Sequence, residues 1–445
     1  FEKTDERFVP NAGVEAVLWN FDRSPMSKKF VECLPDSKSN GSAGAKTYGY
    51  MFLLGFLNGW DCIDDLEDLE EDYWAKEFFD NKIPGTKACG NFLRSFEHEH
   101  LEKLNLFLRD QARSCHANLL KVNGGEKELI IDLDSTDHQQ CGKKMEGLAF
   151  NYKDHWCLDS LLAFDQRGFC HGMNLRPGNT HTSVGAVQMI DHCFGNLSPD
   201  IKQRFFRADS GYCNQDVINA CLRHKIKFAI VAHDNLGWSS EALKITEWIP
   251  WEYSEKQKEK AIKEGKDLPK IELGKFLCFP GWGEGKIAFP IIIKRTPVVK
   301  DQGTLFESME YKHYAIITNL NLLTNSLQNV MEFYQKRANS ENMIREEKHN
   351  YDMLHFPCQK LGANEAYGKF CLIAHNMLRH IAYLIKPDKP MFAKKIRKGF
   401  ISIPAKVVNH AREVYLKISE NFWKEVQRLQ EVLRLGAYDL SWNSS

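Results

Sequence analysis

Apolar positions recur every three to four residues through the first hundred residues, which is the period of a helix with one buried face. Residues 48–57 are continuously apolar, and residues 64–79 carry Leu66, Leu69, Tyr73 and Trp74 at helical spacing. Pro84-Gly85-Thr86 is a breaker followed by an N-cap, and residues 87–108 resume the pattern with Phe92, Leu93, Phe96, Leu101, Leu104 and Leu108. Lys87, Asn91 and Arg94 project from the first two turns of that helix. Two readings fit them: base-edge readers of a helix-turn-helix, or the solvated face of a plain amphipathic helix.

After Gly124-Gly125 the period shortens. Residues 129–134, 156–164 and 169–175 read as strands, with a hairpin turn at 165–168. A helix at 183–194, a strand at 204–209, a helix at 214–224 capped by Asn214 and a strand at 227–232 follow. This order predicts a mixed α/β layer that begins as a hairpin meander. Residues 236–312 interrupt it with Trp238, Trp248, Trp251, Trp282, a Lys/Glu run and short strands at 276–279 and 287–293 around a glycine-rich turn. They read as a β-rich insertion. The glycines lack the strand–turn–helix context of a phosphate loop. A strand at 313–318, helices at 326–353 and 364–384, a proline-bounded linker at 387–390 and a last helix at 405–435 complete the pattern. The expected units are a helical N-terminal domain (1–115), DNA-binding on the first of the two readings above, an α/β core in two parts (116–235 and 313–385), the insertion (236–312) and a basic helical tail (386–445).

Composition narrows the class. With 43% hydrophobic and 27% charged residues, the 445-residue chain is neither disordered nor fibrous. No apolar run reaches the roughly 18 residues of a membrane span, and no basic-then-apolar leader is present, so a cytoplasmic location is expected. The 13 cysteines form no Cys-x-x-Cys pair and read as reduced thiols rather than a disulfide scaffold or a zinc site. The net charge of zero hides an asymmetry. Eight of the twelve residues 61–72 are acidic, whereas residues 379–445 hold thirteen Lys/Arg against six Asp/Glu.

The candidate chemistry lies on the α/β core. Asp134 and Asp209 each end an expected strand, where a rigid backbone presents a carboxylate to a ligand, although an Asp there is also an ordinary turn former. Asp132, on the same strand face as Asp134, is the alternative to it. Tyr334, Arg337, Glu341 and Lys348 fall within a stripe about 60° wide on an unbroken helix. Taken alone, Arg337 and Glu341 are an i,i+4 pair on a solvated face. His98 and His100 read as solvated, and His138 as a surface-loop residue that could also reach DNA.

The spacing Tyr-x2-Arg-x3-Glu-x6-Lys at 334–348 resembles the signature of one branch of the DDE transposases of bacterial insertion sequences, where it surrounds the third catalytic carboxylate. Asp134-Ser135-Thr136 and Arg207-Ala208-Asp209-Ser210-Gly211-Tyr212 resemble that branch's first and second Asp motifs. Leu175-Arg176-Pro177-Gly178-Asn179-x-His181, Gly142-Lys143 with Glu146-Gly147, and Ala405-Lys406-Val407-Val408-x-His410-Ala411-Arg412 are similar to segments of a group distantly related to the piggyBac transposases. The roles of His181 and His410 are not given by the resemblance.

The resemblance implies an RNase H-like core, interrupted by the insertion between Asp209 and Glu341. It implies catalysis and metal binding by Asp134, Asp209 and Glu341, with two Mg²⁺ ions for which Mn²⁺ can substitute. Carboxylates suit that role, because hard cations take oxygen ligands and two of them can serve an in-line phosphodiester displacement. Tyr334, Arg337 and Lys348 would hold DNA phosphates beside the metals. Relatives can hairpin DNA ends and stack a flipped base on an aromatic ring, for which Trp238, Trp248, Trp251 and Trp282 are candidates against ordinary packing roles. The expected function is a cut-and-paste transposase that binds terminal inverted repeats, cleaves element ends and joins 3′ ends to target DNA, acting as a homodimer on double-stranded DNA. The alternatives are a metal-dependent nuclease on the same fold without strand transfer, and a domesticated, inactive DNA-binding derivative.

Overall fold

The computed structural model describes residues 6–36, 43–125, 127–141, 144–283, 287–300, 308–410 and 413–436. Gly142-Lys143 and Ala411-Arg412 of the segments above, and the side chain of His410, lie outside what is described. No described helix is long and apolar enough to cross a membrane.

A ten-stranded sheet carries the fold. Its heart is five strands in the spatial order Cys170–Pro177, Trp156–Asp165, Glu128–Gln139, Gln203–Ala208 and Lys227–Val231. The first three form the expected meander, antiparallel throughout. The last two run parallel to Glu128–Gln139, joined through the helices Ala186–Phe194 and Gln215–Arg223. Beyond Lys227–Val231, the strand Ser308–Thr318 pairs antiparallel to it, followed by Phe289–Lys300, Glu272–Cys278 and the two-residue Ile249–Pro250. The strands of the insertion thus continue the core sheet. The same region also holds the helices Trp238–Ala242 and Glu255–Glu264.

Alternation along the strands sends side chains to two different cores. Leu129, Ile131, Leu133, Phe206, Ala208, Phe228 and Ile230 pack under the helices Ala186–Phe194 and Gln215–Arg223. Ile130, Phe205, Ala229 and Ile316 face the helix Leu327–Gln335. A third and larger core joins the N-terminal helices to the meander and to the buried helix Leu361–Ile385, and takes in Leu429 and Val432 from the C-terminal helix. The tryptophans of the insertion are partly buried packing residues. Trp238, Trp248 and Trp282 lie against one core and Trp251 against another, and Arg295 covers the Trp248 ring at 3.9 Å.

Several elements differ from the sequence expectation. The helix at 87–108 is two helices, Thr86–Arg94 and His98–Asn123, because Glu97 starts a new helix with a capping box to His100. The basic tail is not one helix. Ala405–His410 and Glu413–Ile418 form a three-stranded sheet with Phe8–Val9, which separates the short helical segments Ala393–Ile396 and Arg397–Ile401 from Glu420–Phe422 and the helix Trp423–Leu435. The β-branched Val407 and Val408 and the cross-strand partner Val9, whose sheet buries Val407, outweigh the helical spacing that the tail shows in sequence. The first core strand runs on past residue 134 to Gln139, since Trp156–Asp165 is long enough to pair with all of it. His138 therefore lies in a strand and is buried, not on a loop.

Candidate active site

Asp134 sits where two strand pairings part. On one side the parallel ladder with Gln203–Ala208 stops at Leu133↔Ala208, and on the other the antiparallel ladder continues through Asp134↔Leu162. Asp209 is the first residue beyond its own strand, so the two carboxylates stand side by side where the sheet opens. A crevice at the carboxyl ends of parallel strands is where open α/β sheets bind ligands. The Asp134 carboxylate accepts from the Ser135 amide at 3.0 Å, and Asp209 accepts from the Gly211 amide at 2.9 Å. Gly211 is needed on both counts, because a Cβ there would meet Thr182 at 2.9 Å and the Asp209 carboxylate at 3.2 Å.

The third group arrives from the opposite layer. The expected helix at 326–353 breaks into Leu327–Gln335 and Ala338–Asn350. Between them Arg337, Asn339 and Ser340 donate three residues back, to Tyr334, Lys336 and Arg337. These tight turns overwind the chain locally, so the straight-helix stripe does not survive intact. Tyr334, Arg337 and Glu341 stay together: with Asp134, Asp209 and Tyr314 they line one cavity of about 580 Å³. Lys348 does not line it. Its ammonium is partly buried and donates to the Asp137 carbonyl at 2.6 Å. Tyr314, from the strand Ser308–Thr318, has no motif around it in the sequence, and its ring lies 6.1 Å from that of Tyr334.

The electrostatics suit a cation. Arg337 approaches Asp134 at 2.8 Å and Glu341 at 3.9 Å. The first contact is a charge pair without hydrogen-bond alignment, which leaves Nε and Nη2 of Arg337 without an acceptor in the protein. Burial pushes the Asp134 carboxyl up to about 6, with the neighbouring Asp209 and Glu341 adding to the effect and Arg337 and the Ser135 amide opposing it. Burial alone would depress Arg337, but Asp134, Tyr334, Asp209 and Asp132 hold it more firmly protonated. Three crowded carboxylates of which one is pressed toward its neutral form are a donor set that a hard divalent cation would relieve.

Asp132 is not equivalent to Asp134. It is 2% exposed, and both of its oxygens accept from Arg207, at 2.6 and 2.7 Å. Arg207 also donates to the Phe333 carbonyl, tying the strand to the helix above it.

The other expected positions lie away from this cavity. Lys87, Asn91 and Arg94 are exposed on the short helix Thr86–Arg94, whose opposite face buries Phe92 and Leu93, and Arg94 donates to Asn91 at 2.7 Å. The segment Leu175 to His181 walls the far side of Asp209. Arg176 pairs with the buried Asp159 and donates to the Thr182 and Val184 carbonyls. A Cβ at Gly178 would sit 2.0 Å from the Cys157 carbonyl oxygen, so only glycine lets this loop cross the strand.

A search of curated proteins returns no significant match. The family described as transposase DDE domain group 1 matches residues 23–435, a stretch that holds all three carboxylates and both of their supporting layers. The chain therefore belongs to the DDE transposases, enzymes that act on DNA.

Proposed function

We infer that this protein is a cut-and-paste DNA transposase of the Tyr-Arg-Glu-Lys branch, from the group distantly related to piggyBac, built on an RNase H-like core. The observation that carries this reading is the convergence of Asp134, Asp209 and Glu341 on one cavity, from two parallel strands and a helix far apart in sequence. The spatial order of the five core strands, third, second, first, fourth, fifth, supports the RNase H-like assignment.

In this reading Asp134, Asp209 and Glu341 would hold two Mg²⁺ ions, whose chemistry would be to activate the attacking oxygen and steady the leaving oxygen of the phosphodiester. The chain's own groups do the rest. Gly211 and Ser135 amides fix the carboxylate orientations. Arg337, charge-paired with Asp134 on the cavity wall, would add positive charge for a non-bridging phosphate oxygen bound there. Tyr334 and Tyr314 wall off solvent on one side of the cavity. Lys348, anchored on Asp137, contributes positive charge to the floor beside the cavity rather than a direct phosphate contact within it. Lys87, Asn91 and Arg94 read the terminal repeat, and a homodimer holds the two element ends.

The test is a pair of assays on the same preparations. Asp134→Ala, Asp209→Ala and Glu341→Ala each abolish Mg²⁺-dependent cleavage of end-containing duplex yet retain end binding in a gel shift. Strand transfer by the parent from pre-cleaved ends separates a transposase from a nuclease. Cleavage without transfer overturns the reading in favour of the nuclease.

A further inference from the structure

Asp209 and Ser210 also border a second cavity of about 580 Å³ on the other side, and its outer wall is aromatic. Phe150 and Tyr152 line it together with Lys153, Ser135 and Asp137. Tyr152 is 87% exposed, Phe150 50% and Trp156 43%, so three large rings reach solvent within seven residues of chain. Trp156 backs Phe150 edge-on, with ring centroids 5.8 Å apart. Exposed aromatic side chains lining a cavity that Asp209 also borders make a candidate binding surface.

The turn that presents Tyr152 is braced. Asn151 accepts from the Lys153 amide at 2.9 Å and its amide group meets the His155 ring at 3.2 Å. His155 and Lys153 both bind the Asp137 carboxylate, at 2.6 and 2.8 Å. Asp137 belongs to the strand that carries Asp134, so the turn is tied to the catalytic strand itself. Lys153 also lies 5.6 Å from the Tyr152 ring centroid. A large ring held out into water on a rigid support gains nothing for folding, and it costs little entropy when something stacks on it.

Resting on the reading above, we propose that Phe150 and Tyr152 form a stacking platform for unpaired nucleotides of the DNA strand that passes Asp209, with Lys153 beside its phosphates. Every base has a π face, so stacking of this kind is tolerant of sequence and serves single strands. The occupant is single-stranded rather than duplex DNA, because paired bases expose no face to a ring.

The experiment uses the full chain without added metal, so that cleavage does not enter. Fluorescence anisotropy measures the affinity for a twenty-nucleotide dT oligomer and for a duplex of equal length. Tyr152→Ala should weaken dT binding between about fivefold and about a hundredfold and change duplex binding by less than about twofold. Tyr152→Trp should retain the parental affinity. An overhang carrying 2-aminopurine beside a duplex should be quenched by the parent and by Tyr152→Trp, and not by Tyr152→Ala. Equal losses on both DNAs, or no loss on either, overturn the platform. Circular dichroism confirms that each variant is folded, and the exposure of Tyr152 leaves little stability to lose. If instead the parent cleaves no DNA with Mg²⁺, the transposase reading fails on that assay while the platform is still decided by the metal-free one.

Discussion

Asp132 and Arg207 close a buried two-pronged pair at 2.6 and 2.7 Å, one step along the same sheet face from the charge contact of Asp134 with Arg337. Two Asp–Arg pairs stand in line, and only the second opens on the cavity. The first holds the strand to its neighbour, and the second leaves a carboxylate available for a ligand.

The two aspartates should therefore fail differently. Breaking a buried ion pair by removing one partner costs about 3–5 kcal/mol, so Asp132→Ala should lower the urea midpoint markedly. Asp134→Ala should abolish cleavage with a smaller loss of stability, because burial already penalises its charge. Urea titrations and cleavage assays of both variants check this. A stable, active Asp134→Ala together with a stable, inactive Asp132→Ala would move the ligand role to Asp132.

End recognition is expected on the short helix Thr86–Arg94. Lys87→Ala and Arg94→Ala remove exposed charges and should leave the melting temperature unchanged. If each neutralises one phosphate, the slope of log affinity against log salt should shrink by about 0.9 per variant. Asn91→Ala should instead reduce discrimination between end DNA and an unrelated duplex. Parental binding by all three variants would leave the helix face merely solvated.

The tail is embedded in the fold, which changes how its charge can be tested. Ile396, Ile401, Leu429 and Val432 belong to the large core, and Arg397 donates to the Phe56 and Leu57 carbonyls. Deleting 391–445 should give a chain that aggregates, seen by light scattering. Lys394, Lys395 and Lys398 are exposed, so a triple Lys→Gln variant is the informative one. It should stay folded and show a flatter salt dependence of DNA binding, and an unchanged slope would leave the tail a structural role.

Acid sensitivity should come partly from His138. Its ring bridges the Met353 carbonyl at 2.6 Å and the Ser160 hydroxyl at 2.8 Å. Burial, reinforced by the Lys348 charge, pushes it down to about 3 from the ordinary imidazole value of 6.5. Between those values the unfolded chain binds a proton that the folded one refuses, so stability rises with pH through that window and is lost as pH falls. His138→Gln can keep both hydrogen bonds and does not titrate. It should lose less melting temperature than the parent between pH 7 and pH 4.5, and an identical loss would assign the sensitivity to other histidines such as the buried His116 and the half-buried His192, pushed down to about 4 and about 3.

Local pattern carried much of this protein. The alternation in residues 129–134, the turn at 165–168 and the Asn214 cap all reflect forces within a few residues, and the observed elements follow them. Asp134, Asp209 and Glu341, which the fold gathers on one cavity, stand out in the sequence for the same reason, since each keeps its own neighbours: Ser135 and Gly211 as amide donors, Arg337 one turn before Glu341. What the sequence by itself determined was the mixed α/β class, the core's strand–helix order and the motifs whose charged groups come to line one cavity.

Contacts between distant segments decided the rest. Nothing near Asp132 in the chain announces that Arg207 will neutralise it, and nothing near His138 announces Ser160 and Met353. The tail reads as a helix until Phe8–Val9, almost four hundred residues away, offers Ala405 and Lys406 a strand to pair with. Lys348 shares a helix face with Glu341 but stands about two turns farther along, where the Asp137 carbonyl takes its ammonium. Tyr152 looks like any loop tyrosine until the fold sets its braced turn beside Asp209. Side-chain partners set by packing compete with local propensity on nearly equal terms, about a kcal/mol on either side, so they emerge only when the chain has closed on itself.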